Sequence, residues 1–207
     1  MTPVGLVHKL AAVVVDPWNS FSPEGLGSSL LHSASMVLTS LDPGFPDQKT
    51  RGHIRFVAIS DTHTQHGALE MPDGDVLLHC GDFTYEGLES EITDFMAWIT
   101  ALPYKYKIFI PGNHDLTLDV PFYKQHAHRF HRHGEVLDPV VLAEKCRRLV
   151  HGPRDRGVVY LQDAKFEVPG TGIRIYGMPW MPDFHQWAFM ADRKSQTLKG
   201  GSHPARY

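Results

Sequence analysis

From Ile54 onward the chain alternates short β-branched and aromatic runs with helical stretches, and that alternation points to an α/β layered domain. Phe56-Val57-Ala58-Ile59-Ser60, Asp75-Val76-Leu77-Leu78-His79-Cys80 and Lys107-Ile108-Phe109-Ile110-Pro111 each read as a buried strand. Between the second and third, residues 89–102 place Ile92, Phe95, Met96 and Ile99 at three- and four-residue steps, which gives a helix one apolar face. A strand, helix, strand unit favours parallel pairing with a right-handed crossover. Farther on, residues 142–149 are helix-like. Val158-Val159-Tyr160-Leu161, Lys165-Phe166-Glu167-Val168 and Ile173-Arg174-Ile175-Tyr176-Gly177 read as three more strands. Pro169-Gly170-Thr171-Gly172 supplies the hairpin turn between the last two.

Around this core the organisation is simple. Residues 1–53, rich in Ser, Gly and Pro, read as a weakly structured lead-in; 54–190 as the domain; 191–207 as a polar tail. With 207 residues, 42% of them hydrophobic and 21% charged, the chain is long enough and apolar enough to fold around a core. A net charge of −3 offers no general attraction for nucleic acid or an anionic membrane, so neither is an expected partner. A small phosphate ester remains an expected substrate if metal ions supply positive charge locally. Two cysteines, Cys80 and Cys146, make no disulfide framework and suit a reduced, cytoplasmic setting. The apolar run at residues 4–15 is interrupted by Lys9 and has no basic region before it, unlike a secretory leader. No stretch approaches the ~20 apolar residues of a membrane-spanning helix.

Open α/β sheets bind ligands beyond the carboxyl ends of their strands. Three consecutive strands here deliver polar clusters to that rim: Asp61-Thr62-His63, then Gly81-Asp82, then Gly112-Asn113-His114-Asp115. Core packing does not require such a set, whereas hydrolysis at phosphorus by two bridged metal ions does. Asp61 and His63 can reach one ion from an irregular loop, Asp82 can bridge two, and Asn113 can offer a neutral carbonyl oxygen to the second. His114 would stand beside the ions and stabilise the phosphoryl charge or protonate the departing oxygen, with Asp115 holding its tautomer. Gly81 and Gly112 permit unusual dihedrals and a close backbone approach.

These blocks resemble the opening motifs of the calcineurin-like metallophosphoesterase family, D-x-H, G-D and G-N-H-[DE], in order and at strand ends. The wider match, including Arg55-Phe56-Val57, Met71-Pro72-Asp73-Gly74-Asp75-Val76, Leu102-Pro103-Tyr104 and Tyr176-Gly177-Met178-Pro179-Trp180, looks like the subgroup of metallophosphoesterase domain-containing proteins. The resemblance covers about residues 54–190. It implies a layered αββα sandwich, a pair of divalent ions such as Mn, Fe or Zn, and phosphodiesterase or phosphomonoesterase activity, cyclic nucleotides included. It also implies that Asp61, His63, Asp82 and Asn113 are metal ligands and that His114 and Asp115 are the catalytic pair. After Asp115 the chain has no G-H-x-H block, so the resemblance implies a sandwich incomplete at the C-terminus. The alternative reading is a non-catalytic binding module lacking the later histidine ligands.

Simpler roles stand beside these. Asp61 or Asp82 alone would serve as helix caps. His126, His128, His131 and His133, interleaved with Lys124, Arg129 and Arg132, read as a solvated helix end or loop. Cys80 reads as inert core at the end of a strand, and Trp180, Phe184, Trp187 and Phe189 as packing or a substrate-facing wall. His151-Gly152-Pro153 and His203 have only a superficial likeness to later ligand blocks.

Overall fold

The structure, a computed structural model, describes residues 11–15, 52–131, 138–152, 154–182 and 186–191. Five strands form the main sheet: β1 (Ala11–Val15), β2 (Ile54–Ile59), β3 (Val76–Cys80), β4 (Tyr106–Ile110) and β5 (Val158–Tyr160), in that spatial order. β2 to β5 run parallel, with Val57 opposite Leu77, Leu77 opposite Lys107 and Lys107 opposite Val158. β1 adds to β2 antiparallel, Ala11 facing Ala58, and is a strand contributed by the segment 1–53. The rest of that segment up to residue 51, and the tail from 192, lie outside the described residues.

Strand periodicity explains how both faces of the sheet are covered. Successive side chains point to opposite sides, so Val57, Ile59, Leu77, Phe109, Val158 and Tyr160 share one face while Phe56, Val76, Ile108 and Val159 share the other. The first face is packed by helices α1 (Glu89–Ala101), α2 (Val120–Phe130) and α3 (Pro139–Val150). α1 presents Ile92, Phe95, Met96 and Ile99, the four positions its sequence spacing predicts, and all are buried. Phe95 stacks on Phe83 with centroids 4.1 Å apart and meets Phe109 of β4 edge-on. The second face is covered by the hairpin β6 (Ala164–Glu167) and β7 (Arg174–Gly177), through Phe166 and Ile175 and the flanking Val168 and Ile173. Two short segments, β8 (Met181–Pro182) and β9 (Met190–Ala191), pair parallel to each other. Helices, main sheet and hairpin sheet make three stacked layers, an α/β architecture with a parallel sheet, as expected. A second helical layer is not among the described residues.

Local chemistry sets the helix limits. Leu102 ends α1 in an extended conformation because it precedes Pro103, whose ring disfavours helical geometry before it. α3 starts on Asp138, whose carboxylate accepts from the Val140 amide, with Pro139 at the first helical position. Asp119 caps α2 with one oxygen and accepts from the Phe189 amide with the other, tying β9 to the helix start.

Candidate metal centre

The three polar clusters meet beyond the carboxyl ends of β2, β3 and β4. Backbone bonds from Asp61 N to Gly81 O, His63 N to Asp82 O and Thr64 N to Phe83 O, each 3.0 Å, hold the first loop along the second. The second and third loops touch at their glycines. A Cβ on Gly81 would lie 2.9 Å from Gly112 Cα, and one on Gly112 would lie 2.3 Å from Asp82 Oδ1, so no larger residue fits either position without displacement. In that contact the His114 amide donates to Asp82 Oδ1 at 2.8 Å.

As a result, ligand atoms of His63, Asp82 and His114 all lie within 4.8 Å of one another, each on a half-buried residue. The imidazole centroids of His63 and His114 are 4.5 Å apart. His63 donates from Nδ1 to the Thr84 carbonyl at 3.2 Å, and His114 from Nδ1 to the Tyr85 carbonyl at 2.8 Å. A carbonyl only accepts, so each ring carries a hydrogen on Nδ1, and the neutral form of either imidazole has its Nε2 lone pair left for a ligand.

The backbone is strained where these side chains leave it. Asp61, His63, Thr64 and Asp82 all have left-handed φ angles, between 40° and 65°. Such conformations cost non-glycine residues about 1–3 kcal/mol each and gather at functional sites. Asp82 is held above the ordinary carboxylate range, first by burial; the His114 amide and imidazole and His63 oppose this, while the Asp61 charge adds to it. A cation among these donors would offset both the burial and the repulsion. The donor set of carboxylate oxygen and imidazole nitrogen therefore suits a borderline divalent metal.

Comparison with known proteins agrees with this geometry. The sequence profile of the calcineurin-like phosphoesterases matches residues 54–199. The chain belongs to that family. Metallophosphoesterase domain-containing protein 1 of Homo sapiens is 43% identical over 155 residues, covering 73% of this chain and 45% of the relative, and its Mus musculus counterpart matches equally. A UPF0046 protein of Caenorhabditis elegans is 33% identical over 214 aligned positions, covering 97% of this chain and 64% of the relative. The chain thus spans under half the length of the human and mouse relatives.

Within this family member the expected site residues are placed unequally. His63 and Asp82 converge. His114, expected beside the ions, contributes a donor to the same cluster. Asp61 is exposed on the rim, close enough for its charge to act on Asp82, and Asn113 is half-buried between Gly112 and His114. Asp115 requires correction: it does not hold the His114 tautomer, because the Tyr85 carbonyl does. Its fully buried carboxylate accepts from the amides of Gly112, Asp82 and Thr84 and from the Thr84 hydroxyl, at 2.7 to 3.0 Å. Burial pushes the group up to about 7, with those hydrogen bonds pulling the other way and Asp82 adding to the rise.

Two further expectations change. Cys80 is exposed instead of core, and its thiol is pushed up, first by desolvation and then by Asp61, so it is no activated nucleophile. His131 is buried instead of solvated, bonded to the Tyr123 hydroxyl and the Glu86 carbonyl, whereas His128 is exposed and His126 packs on Phe122. His133, Phe184 and His203 lie outside the described residues. Among the late aromatics, Phe189 is core, Trp180 donates to Asp163, and Trp187 leans on the His114 ring with centroids 4.4 Å apart. His151 caps the end of α3 with its ring edge-on to Tyr160, outside the three-donor cluster.

Sequence reasoning missed Thr62, whose hydroxyl bonds Nε2 of the buried His79 at 3.0 Å and pins the Asp61-Thr62-His63 loop to the core. It also missed Tyr85, which combines the His114-orienting carbonyl with a 58% exposed ring, edge-on to both site imidazoles. An aromatic residue three positions after Asp82 was the visible signal.

Proposed function

We propose that the chain is a metal-dependent phosphoesterase whose centre is built on Asp61, His63, Asp82 and Asn113, with His114 acting on the substrate. The convergence of His63, Asp82 and His114 donors within 4.8 Å carries this reading. Two divalent ions, when bound, would polarise the phosphoryl oxygens and generate the attacking water's nucleophilicity at neutral pH. Asp82 lies between the first and third loops, where a bridging carboxylate is needed, and Asn113 on the third loop supplies a neutral oxygen. His114 keeps Nδ1–H on the Tyr85 carbonyl in both charge states, so it can hold a proton at Nε2 and pass it to the leaving oxygen. Tyr85 and Trp187 flank that ring and form the apolar wall of the substrate space.

A phosphodiester, cyclic nucleotides included, or a phosphomonoester fits this arrangement, and the ions proposed are Mn, Fe or Zn. The site needs no basic surface, which accords with the chain's net charge of −3. Hydrolysis of bis-p-nitrophenyl phosphate and of p-nitrophenyl phosphate, each with and without Mn²⁺, separates diesterase from monoesterase activity. The expected result is turnover only with metal, reduced at least about 100-fold by D82N and about 10²- to 10⁴-fold in kcat by H114A. Turnover that persists in chelator, or survives D82N, contradicts the proposal.

A further inference from the structure

The two site imidazoles take their orientation from consecutive carbonyls, Thr84 for His63 and Tyr85 for His114. The segment carrying those carbonyls is therefore as important to the site as the imidazoles. Thr84 is fastened by Asp115 through both its amide and its hydroxyl. Tyr85 is fastened differently. Glu91, at the third position of α1, turns its carboxylate back over the segment and accepts from the amides of Tyr85 at 3.2 Å, Glu86 at 3.1 Å and Leu88 at 2.8 Å. A helix cap of this kind needs only the bond to Leu88. The two extra bonds fix the peptide planes on either side of the Tyr85 α-carbon, and the Glu86 amide shares its plane with the Tyr85 carbonyl. From the far side, His131 donates to the Glu86 carbonyl while its other nitrogen accepts from the Tyr123 hydroxyl.

We propose that Glu91 is a positioning residue for His114: its carboxylate immobilises the Tyr85–Glu86 peptide, whose carbonyl selects the Nδ1–H tautomer and aims Nε2 into the cluster. Glu91 bonds backbone amides and no donor atom of the site, so it acts through those peptides. The role rests on His114 belonging to the phosphoesterase site, but the tautomer itself can be read without metal or substrate. Outer-sphere groups that orient a site imidazole are worth about 10- to 100-fold in metal affinity or activity, and because His114 is assigned to the substrate the loss here falls on kcat. Glu91 also holds the Thr84–Tyr85 peptide through the Tyr85 amide, but Asp115 separately fastens Thr84 through its own amide and hydroxyl, so loss of Glu91 disturbs His114 more than His63.

The test is long-range ¹⁵N–¹H correlation of the imidazoles in metal-free, ¹⁵N-labelled protein at about pH 8, where unperturbed imidazoles are neutral, together with Mn²⁺ titration. Wild type should show Nδ1–H for both His63 and His114. E91A should disturb the Nδ1–H form of His63 less than that of His114, put His114 into exchange between tautomers, and lower kcat on bis-p-nitrophenyl phosphate about 10- to 100-fold while leaving the Kd for Mn²⁺ nearly unchanged. E91Q keeps one accepting oxygen and should fall between the two, and it carries the comparison if E91A does not fold. An unchanged His114 signature in the glutamate variants overturns the proposal. So does an equal disturbance of His63 and His114, which marks Glu91 as a helix cap and nothing more. If wild type binds no Mn²⁺ and His114 still responds more than His63, the metal-dependent reading falls while the positioning role stands.

Discussion

Asp115 lies at the contact of the second and third loops with no cation beside its carboxylate among the described residues, and it accepts four hydrogen bonds there. Three of those donors are backbone amides that have no other way to be satisfied without opening the loop. An unsatisfied buried donor costs about 1–3 kcal/mol, so D115A should lower stability by about 3 kcal/mol or more, read as the shift in a urea unfolding curve. A catalytic role alone would lower turnover and leave the unfolding midpoint where it was. The contrast with His114 is instructive. It is the neighbouring residue, half-buried, bonded to a carbonyl and in tilted contact with Trp187, with its other ring nitrogen left toward the cluster. Two adjacent residues of one motif thus divide the work: Asp115 closes the loops, and His114 joins the donor cluster.

At the scale of elements, the helical face of β3 carries a polar group into the core. His79 follows Leu77 on that face, is 1% exposed, and packs edge-on to Phe83 and Phe95 with a single bond, to Thr62. Burial, and then the neighbouring His66 and His63, lower its pKa from 6.5 to about 3. The folded protein therefore refuses a proton that the unfolded chain accepts. Stability from this group is complete above the unfolded pKa and is lost as pH falls from 6.5 toward about 3, with a slope approaching 1.4 kcal/mol per pH unit for one proton. Urea midpoints measured across that window should fall with acid in wild type. H79Q, which keeps a hydrogen-bonding end toward Thr62 but does not titrate, should give a shallower fall. Equal slopes would show that His79 is not the group responsible. Since Thr62 sits between Asp61 and His63, protonation at His79 would loosen β3 and the site loop together.

Across the whole molecule, legibility followed the range of the contacts. The buried strands β2, β3 and β4 were visible because near-continuous apolar runs have few other uses. α1 was visible because Ile92, Phe95, Met96 and Ile99 repeat at helical spacing. The rim residues Asp61, His63, Asp82 and His114 were visible because each follows a strand by a few positions, and parallel pairing places those ends side by side. α2 was obscured by the His, Lys and Arg interleaved among Tyr123, Ala127 and the other inward positions, although Asp119 with Pro121 marked its start. β1 could not be read as a partner of β2, since that antiparallel pairing joins segments some forty residues apart. The orienting roles of Thr84 and Tyr85 were hidden for another reason: they use backbone carbonyls, which no side chain advertises. His131 and Glu91 act through the same segment, and only the folded chain brings His131 to it.

The proposed convergence of the three loops on a cation ties these scales together, and it can be tested directly. Crystals grown with Mn²⁺, with diffraction recorded at the manganese edge, should show anomalous peaks at coordination distance, about 2.0–2.3 Å, from His63 and Asp82. Peaks confined to other parts of the surface, with the Asp82 carboxylate bonded to protein alone, would contradict the account.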